Sequence, residues 1–351
     1  MRLDVVERLR NAKFTQLQAL YPAPVRPLDF VPPQQYTKSP ARIAKGLIGR
    51  CVLPILLQRT AAGYPACRLP GVTHLSLGYR FSSGYPERQL RRRLPSVRGR
   101  HILIPGCNHN SAEVREWLQT DAASVAMLDI VDNSQNFERV KPDLRRHYRP
   151  QLEFLHGSLE SVPLADQSVD LIYSRAVLEH VGNLQSAAGE MARVLKPGGY
   201  CLHDFGPLYF TFGGDHTIPS YGFDHGYDHL LLDEDSYQAR IRDDAYYAKL
   251  GTLTDHSRYW ALQGIFSYLK PAEYLAIFQR HFEIPFCLAR LSPEAIAFRQ
   301  RQPTAWQDLL DAGLSEPDLL ISDISLILRR PTTGVAAACN RAPYRGSSSI
   351  A

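Results

Sequence analysis

Residues 102–110 read ILIPGCNHN and join an apolar run to a polar segment. The run at 101–105 has the length and apolarity of a buried strand, and residues 111–120 (SAEVREWLQT) have the pattern of a helix. Gly106 stands at the turn between them. A strand, a turn and a helix in this order direct backbone N–H groups at one point, where they can bind a polar ligand. The stretch therefore predicts the first unit of a ligand-binding α/β domain.

The same alternation of strands and helices continues towards the C-terminus. Apolar runs predict strands at 125–129, 152–156, 169–174, 200–205, 283–290 and 321–329. Helices are predicted at 185–196 and 271–281, and residues 293–319 are helical or looped. Strands that alternate with helices form a parallel, doubly wound sheet, which binds ligands at the carboxyl ends of its strands.

Composition divides the chain into one α/β domain and additions to it. Residues 1–95 are rich in proline and lack a clear period, so we expect an N-terminal extension or cap. Residues 96–331 carry the α/β pattern, interrupted at 206–265 by an insertion rich in Gly, Tyr, His and Asp. Residues 332–351 are small and polar, which predicts a flexible tail.

Bulk properties favour a reducing compartment. The chain has 351 residues and a formal net charge of +5, which is too small by itself to indicate nucleic-acid binding. Its six cysteines form no CxxC pair and are expected to be free thiols. The N-terminus lacks the form of a signal peptide, and the apolar stretch at 43–57 is too short and interrupted to span a bilayer. We therefore expect a cytoplasmic protein without a transmembrane segment, for which a homodimer is one compatible state.

Residues 87–100 (ERQLRRRLPSVRGR) are strongly basic. They form either a solvated helix face or a contact with an anionic partner, such as a phosphate, a nucleic acid or lipid head groups. Neither interleaved aromatic residues nor a nucleic-acid motif accompanies them. Nucleic acid is therefore the less favoured partner.

Four elements in order predict a nucleotide-like site. The Gly106 turn comes first, and Asp129 ends the second strand 23 residues later. An acid at about this spacing can accept hydrogen bonds from both hydroxyls of a ribose. The turn at 157–160 can offer backbone groups to the edge of a base, and residues 190–205 lead into a further strand. Together these elements predict a site for an adenosine-type ligand.

Two further segments are more specific. Residues 169–183 (VDLIYSRAVLEHVGN) and 193–205 (RVLKPGGYCLHDF) resemble motifs of the class I S-adenosylmethionine-dependent methyltransferases, of the type 11-like kind. The resemblance covers residues 100–205 well and 271–330 more loosely. It implies a seven-stranded Rossmann-like sheet whose last strand is antiparallel, and S-adenosylmethionine as the cofactor.

By position, the resemblance assigns cofactor roles to eight residues. These are Gly106, Cys107 and Asn108 for the methionine part, Asp129 for the ribose, Ser158 and Leu159 for the adenine, and Ser174 and Arg175 beside the sulfonium. Glu179 and His180 of the VLEHV motif are either satisfied polar residues or part of the chemistry.

The first loop departs from the family pattern. Ile104 stands where the family carries an acid, and Asn108 and Asn110 replace two glycines. Asn tolerates a positive φ, so the turn can be kept. The missing acid normally organises the site for the ammonium group, and His109 or Asn108 would have to replace it. A catalytically inactive binding or scaffold protein with the methyltransferase fold is therefore an alternative to the enzyme.

The insertion at 206–265 is expected on the acceptor side, where a hydroxyl acceptor needs a base near neutral pH. His216 is the first candidate for this base, and His203, just before the insertion, is the second. The three Asp–His pairs at 215–216, 224–225 and 228–229 are an alternative metal site. Adjacent side chains diverge, however, which favours hydrogen-bond networks over metal binding.

The resulting prediction is O-methylation of a small molecule or of a sugar or glycan precursor. A nucleic-acid methyltransferase is disfavoured, because residues 173–176 (YSRA) match neither the signature of amino-group methylases nor a cysteine nucleophile.

Overall fold

The computed structural model describes residues 53–78, 93–107, 111–217, 224–243, 260–261 and 264–332, and for residues 53–54 and 111–113 the backbone alone. Eight strands within these ranges form one sheet. They are β1 (His74–Leu77), β2 (His101–Pro105), β3 (Ser124–Asp129), β4 (Gln151–His156), β5 (Val169–Arg175), β6 (Leu195–Phe205), β7 (Glu283–Leu291) and β8 (Ile321–Arg329).

The strand order is β1-β7-β8-β6-β5-β2-β3-β4. The last strand, β8, runs antiparallel to both of its neighbours, and the other five pairs of neighbouring strands are parallel. The predicted doubly wound α/β sheet with an antiparallel last strand is therefore confirmed. It has eight strands rather than seven among the described residues, because β1 from the N-terminal extension adds to β7.

The helices flank this sheet. They are α1 (Leu53–Ala61), α2 (Ser111–Leu118), α3 (Ser134–His147), α4 (Leu184–Val194), α5 (Asp228–Leu231), α6 (Glu234–Arg242), α7 (Pro271–Gln279), α8 (Pro293–Arg301), α9 (Pro303–Asp311) and α10 (Glu316–Leu320). Helix α3 was not predicted. It contains Pro142, and only two of its side chains, Phe137 and Leu144, are buried, so few apolar residues mark it in the sequence.

Buried side chains alternate between the two faces of the sheet. On β2, Leu103 belongs to one core cluster, whereas Ile102 and Ile104 belong to a second. Successive side chains of a strand point to opposite faces, so a strand with both faces covered reads as a continuous apolar run. This is why the short run HILIP was recognisable as a strand.

Strand β6 starts five residues before the predicted position. Leu195 already pairs with Val169, and the register then shifts across the KPGG turn before Tyr200 pairs with Leu171. The preceding helix, predicted at 185–196, is present as α4 but ends two residues earlier than predicted, at Val194.

Cys67, Cys107, Cys201 and Cys287 are buried free thiols, as expected, and Cys51 and Cys339 lie outside the described residues. Among the residues described, no helix has both the length and the apolarity needed to cross a bilayer. The expected flexible tail after residue 332 and most of the extension at 1–95 fall outside the described ranges, so the domain division stays a prediction.

Two arginines of the basic stretch have partners within the chain. Arg100 forms an ion pair with Asp170 (3.4 Å), and the Arg93 guanidinium lies 4.4 Å from the centre of the Phe286 ring. These contacts account for part of the positive charge without an external anion.

Candidate active site

A cleft with about 800 Å³ of empty space, part of it open to solvent, lies at the carboxyl ends of β2, β3, β4 and β5. Its lining comes from the segments that follow these four strands and from one distant segment: residues 105–106, 128–131, 157–160, 176–177, 180–181, Trp260 and Ile265. This is the edge at which open α/β sheets bind ligands.

Gly106 occupies a position that only glycine fits. Its φ is +73°, and a Cβ added there would lie 2.3 Å from Cγ2 of Val177. Its N–H donates a hydrogen bond to the carbonyl of Leu128 (2.8 Å). The backbone after β2 can therefore pass close to both β3 and the segment after β5.

Asp129 is the buried acid of the cleft, with 5% of its surface exposed. Its Oδ1 accepts a hydrogen bond from the N–H of Val131 (2.9 Å), and its carbonyl accepts one from the N–H of Gly157 (2.9 Å). The second bond ties the end of β3 to the turn after β4. In that turn, the Ser158 hydroxyl accepts from the N–H of Glu160 (3.1 Å).

Four of the eight predicted cofactor residues line the cleft: Gly106, Asp129, Ser158 and Leu159. Cys107, Ser174 and Arg175 are not among the lining residues, and Asn108 is outside the described residues.

The lining after β5 is displaced by two residues from the predicted pair. Ala176 has a φ of +51°, and its N–H donates to the carbonyl of Asp204 (2.9 Å). Ala176 and Val177, rather than Ser174 and Arg175, then line the cleft. Neither residue was predicted to line the cleft, although Val177 begins the VLEHV segment that carries the family resemblance.

His203 lies inside the sheet rather than at the cleft. Its side chain is fully buried, Nδ1 is hydrogen bonded to the Ser174 hydroxyl (2.7 Å), and the ring stacks on Phe278. Burial lowers the pKa of His203 to about 3. The imidazole is therefore neutral, and the described residues give it no contact with the cleft.

Glu179 and His180 form a short 3₁₀ turn between β5 and α4. Glu179 is 1% exposed, and its Oε1 accepts from the N–H of Gly206 (3.2 Å). Burial raises the pKa of Glu179 to about 8. The negative charges of Asp323 and Asp204 raise this pKa further, and hydrogen bonds from two backbone N–H groups lower it only in part.

His180 connects this turn to the cleft. Its Nδ1 donates to the carbonyl of Ile265 (2.7 Å), and its ring stacks on Trp260 with 4.2 Å between centroids. His180, Trp260 and Ile265 all line the cleft. Sequence reasoning missed Trp260 and Ile265, which lie 80 or more positions away in the chain and follow no motif.

His216 packs against His180, with ring centroids 4.8 Å apart. It is half-buried, has a φ of +62°, and donates from Nε2 to the carbonyl of Pro207 (3.3 Å). Burial lowers the pKa of His216. The structure thus brings this predicted base beside Glu179 and His180, in the layer behind the cleft lining.

The other Asp–His pairs are engaged in internal hydrogen bonds. Asp215 accepts from the hydroxyls of Thr217 and Tyr237, and Asp228 pairs with Arg240 and His225. His229 is fully buried and donates from Nε2 to the carbonyl of Tyr209 (2.7 Å). These contacts match the network interpretation of the pairs.

A sequence profile for a methyltransferase domain matches residues 104–203. The phthiotriol/phenolphthiotriol dimycocerosates methyltransferase 1 of Mycobacterium ulcerans is 30% identical over 105 residues, which are 30% of this chain and 37% of that protein. The fatty-acid O-methyltransferase of Mycolicibacterium smegmatis is 31% identical over 114 residues, 32% of this chain and 40% of that protein. The chain thus spans well under half the length of either relative.

Among solved structures, an S-adenosylmethionine dependent methyltransferase from Mesorhizobium loti is 18% identical to this chain. The alignment covers 72% of this chain and 100% of that chain, with a TM-score of 0.41.

Proposed function

We propose that this chain, whose residues 104–203 belong to the class I methyltransferase family, transfers the methyl group of S-adenosylmethionine to an oxygen atom of a small-molecule acceptor. The observation that carries the proposal is the pairing of Asp129 with Gly106. A buried carboxylate and a turn without a side chain stand together at the ends of two neighbouring parallel strands.

The residues of this wall fit the parts of the cofactor. Asp129 can accept hydrogen bonds from the ribose hydroxyls, and the turn at 157–160 can flank the adenine. Gly106 lines the cleft beside Asp129, and its turn without a side chain suits the methionine part. When bound, S-adenosylmethionine supplies an electrophilic methyl group on a sulfonium.

Oxygen as the acceptor atom is supported by the polar cluster next to the cleft. A hydroxyl attacks a methyl group in line with the departing sulfur and must lose its proton during or before the attack. His180 in the cleft lining, with Glu179 and His216 behind it, forms a polar cluster that can accept this proton. Of the two predicted bases, we keep His216 in this cluster and give His203 a structural role.

The acceptor class follows from the lining on the same side. Trp260, Ile265 and Val181 make it apolar, with His180 as a polar point. We therefore expect an acceptor with an apolar or flat body that presents one oxygen. O-methyl transfer is also named for the fatty-acid enzyme of Mycolicibacterium smegmatis. The sugar or glycan precursor expected from the sequence stays a prediction.

Calorimetry with S-adenosylmethionine and S-adenosylhomocysteine tests the proposal. We expect micromolar binding, weakened at least tenfold in Asp129→Asn, since a hydrogen bond to a charged group contributes about 1.5–3 kcal/mol. The exposed Asp143→Asn serves as the matched control and should bind as the unmodified protein does. Methyl transfer from labelled cofactor to a panel of fatty acids, phenols and sugars would then identify the acceptor.

Absence of binding at millimolar cofactor would contradict the enzyme and favour the scaffold alternative. Equal affinity in the two Asp variants would contradict the role of Asp129 while leaving the enzyme open to a different cofactor pose.

A further inference from the structure

Three potential metal ligands converge beside the cleft. One ligand atom from each of Glu179, His180 and His216 lies within 4.8 Å of the other two. The three residues come from the 3₁₀ turn after β5 and from the segment after β6, so the fold rather than a local motif assembles them.

One of these ligand groups, the carboxyl of Glu179, is buried with one oxygen atom that no described residue hydrogen bonds. Oε2 of Glu179 is inaccessible to solvent and has no hydrogen-bond partner among the described residues, and the residue is only 1% exposed. An unpartnered carboxylate oxygen in the interior is costly, and buried carboxylates are normally paired or bound to metals. The two histidines of the cluster lie within reach of this carboxyl group.

The hydrogen bonds of the histidines resemble those of metal-ligating histidines. Carbonyl oxygens can only accept, so His180 donates from Nδ1 to Ile265 and His216 donates from Nε2 to Pro207. In each neutral ring the lone pair is then on the other nitrogen. A ligating histidine typically donates its second ring N–H to a carbonyl or carboxylate in this way.

We propose that Glu179, His180 and His216 bind a divalent first-row metal ion of the Mn²⁺ or Zn²⁺ type. Two imidazoles and one carboxylate are a ligand set for such ions and leave coordination positions open. At metal–ligand distances of about 2.0–2.2 Å, neighbouring ligand atoms lie about 3.0–3.5 Å apart. The three side chains must therefore close by roughly 1–2 Å, which small rotations about their side-chain bonds provide.

The position of the site beside the cleft indicates a role for the ion in methyl transfer, and this role rests on the proposed function. His180 lines the cleft, so an open coordination position would face an acceptor held there. The ion would lower the pKa of the acceptor hydroxyl, whose proton passes to solvent. The O–CH₃ bond then forms as the S–CH₃ bond breaks, and its electron pair returns to sulfur. His216 acts in this case as a ligand instead of as the base.

The competing explanation is a protonated Glu179 that serves only the packing of the turn. Glu179→Gln separates the two, because glutamine has the shape of the protonated acid but is a poor metal ligand. His216→Asn is the second variant, since Asn tolerates the positive φ of this position. The exposed His147→Gln is the matched control.

The experiment measures Mn²⁺ binding by electron paramagnetic resonance and Zn²⁺ binding by calorimetry, on full-length protein freed of metal with a chelator. Mn²⁺ is the primary probe because the six cysteines prefer softer ions. We expect one Mn²⁺ ion to bind per chain. Its affinity should be at least about 100-fold lower in Glu179→Gln and in His216→Asn, because losing a metal ligand weakens binding more than losing a residue that only hydrogen bonds to a ligand. His147→Gln should bind as the unmodified protein does. Circular dichroism checks that each variant is folded.

No Mn²⁺ or Zn²⁺ binding at millimolar ion, or equal affinity in a folded Glu179→Gln, would overturn the metal site. Cofactor binding measured on the same samples keeps the two proposals apart. If the protein binds the cofactor but no metal, only the metal site is contradicted. If it binds the metal but no cofactor, the proposed role of the ion in methyl transfer is contradicted.

Discussion

The cleft has two walls, which present different chemical groups. The cofactor wall comprises residues 105–106, 128–131 and 157–160, which follow three strands directly and present backbone groups and one carboxylate. The acceptor wall comprises His180, Trp260 and Ile265, and Glu179 and His216 lie in the layer behind it. Both histidines are half-buried and contact aromatic rings.

The difference lies in how far apart the parts are in the chain. On the cofactor wall, the Asp129 carboxylate is bonded to an N–H two residues away. On the acceptor wall, His180 is held by a carbonyl 85 residues away. The first wall therefore depends on the local geometry of turns, and the second on the packing of distant segments. Substitutions should separate these two dependences.

The largest effect is expected at the cofactor wall, from Gly106→Ala. The positive φ costs about 1–2 kcal/mol, and the contact with Val177 adds about 1–3 kcal/mol, so stability should fall by about 2–5 kcal/mol together with cofactor affinity. Gly99 also has a positive φ but no atoms within 4 Å of an added Cβ, so Gly99→Ala should show the smaller loss alone. Denaturant unfolding and calorimetry measure both.

Adding Val177→Ala to Gly106→Ala should recover part of the lost stability, because it removes the methyl group that a Cβ would meet. Equal losses in Gly99→Ala and Gly106→Ala would show that close approach of the two strand ends does not shape this wall.

An intermediate effect is expected from Ser174→Ala, which tests where the acceptor wall begins. The variant leaves Nδ1 of fully buried His203 without its hydroxyl partner, at a cost of about 1–3 kcal/mol in the free energy of unfolding. Cofactor affinity should stay within twofold, since the described cleft lining after β5 starts at Ala176. A tenfold loss of affinity would instead place Ser174 beside the sulfonium, as the family resemblance implies.

The smallest effect is expected from Asp170→Asn, at the opposite end of the strands. Burial opposes ionisation of Asp170, but the N–H of His101 (2.9 Å), Lys196 Nζ (2.8 Å) and Arg100 outweigh it and lower its pKa. A carboxyl with a lowered pKa in the folded protein stabilises above its unfolded pKa, near 4, and loses this contribution as pH falls through the folded value.

Asp170→Asn should therefore lower stability by about 1 kcal/mol at pH 7, and the difference from the unmodified protein should shrink below about pH 4. Thermal unfolding across pH 3–7 measures it. A constant difference would mean that the loss comes from packing rather than charge. Cofactor affinity should not change, which would show that a loss of folding stability alone does not reduce cofactor binding.

The sequence predicted the sheet and several residues of the cleft lining because both follow local patterns. The strand at 321–329 has the predicted bounds, and Gly106 and Asp129 were recognisable from a turn and a spacing. Strand β1 has only four residues, too few for a reliable alternation, and was missed.

The acceptor wall was only partly predictable. His216 was chosen as one histidine among several, but its neighbours Trp260 and Ile265 depend on packing between segments far apart in the chain. Ser174 and Arg175 were assigned by position. The left-handed backbone at Ala176, which redirects the chain into the cleft two residues later, has no marker such as glycine in the sequence.

The pairing of β1 with β7 has a consequence for the order of events during synthesis. The Thr73 hydroxyl donates to the carbonyl of Cys287, 214 residues later in the chain. At about 5–20 residues per second, a ribosome needs roughly 10–40 s to make the intervening chain. Throughout that interval the segment around β1 has no edge on which to dock. The first strand of the sheet to be synthesised is thus one of the last that can take its place.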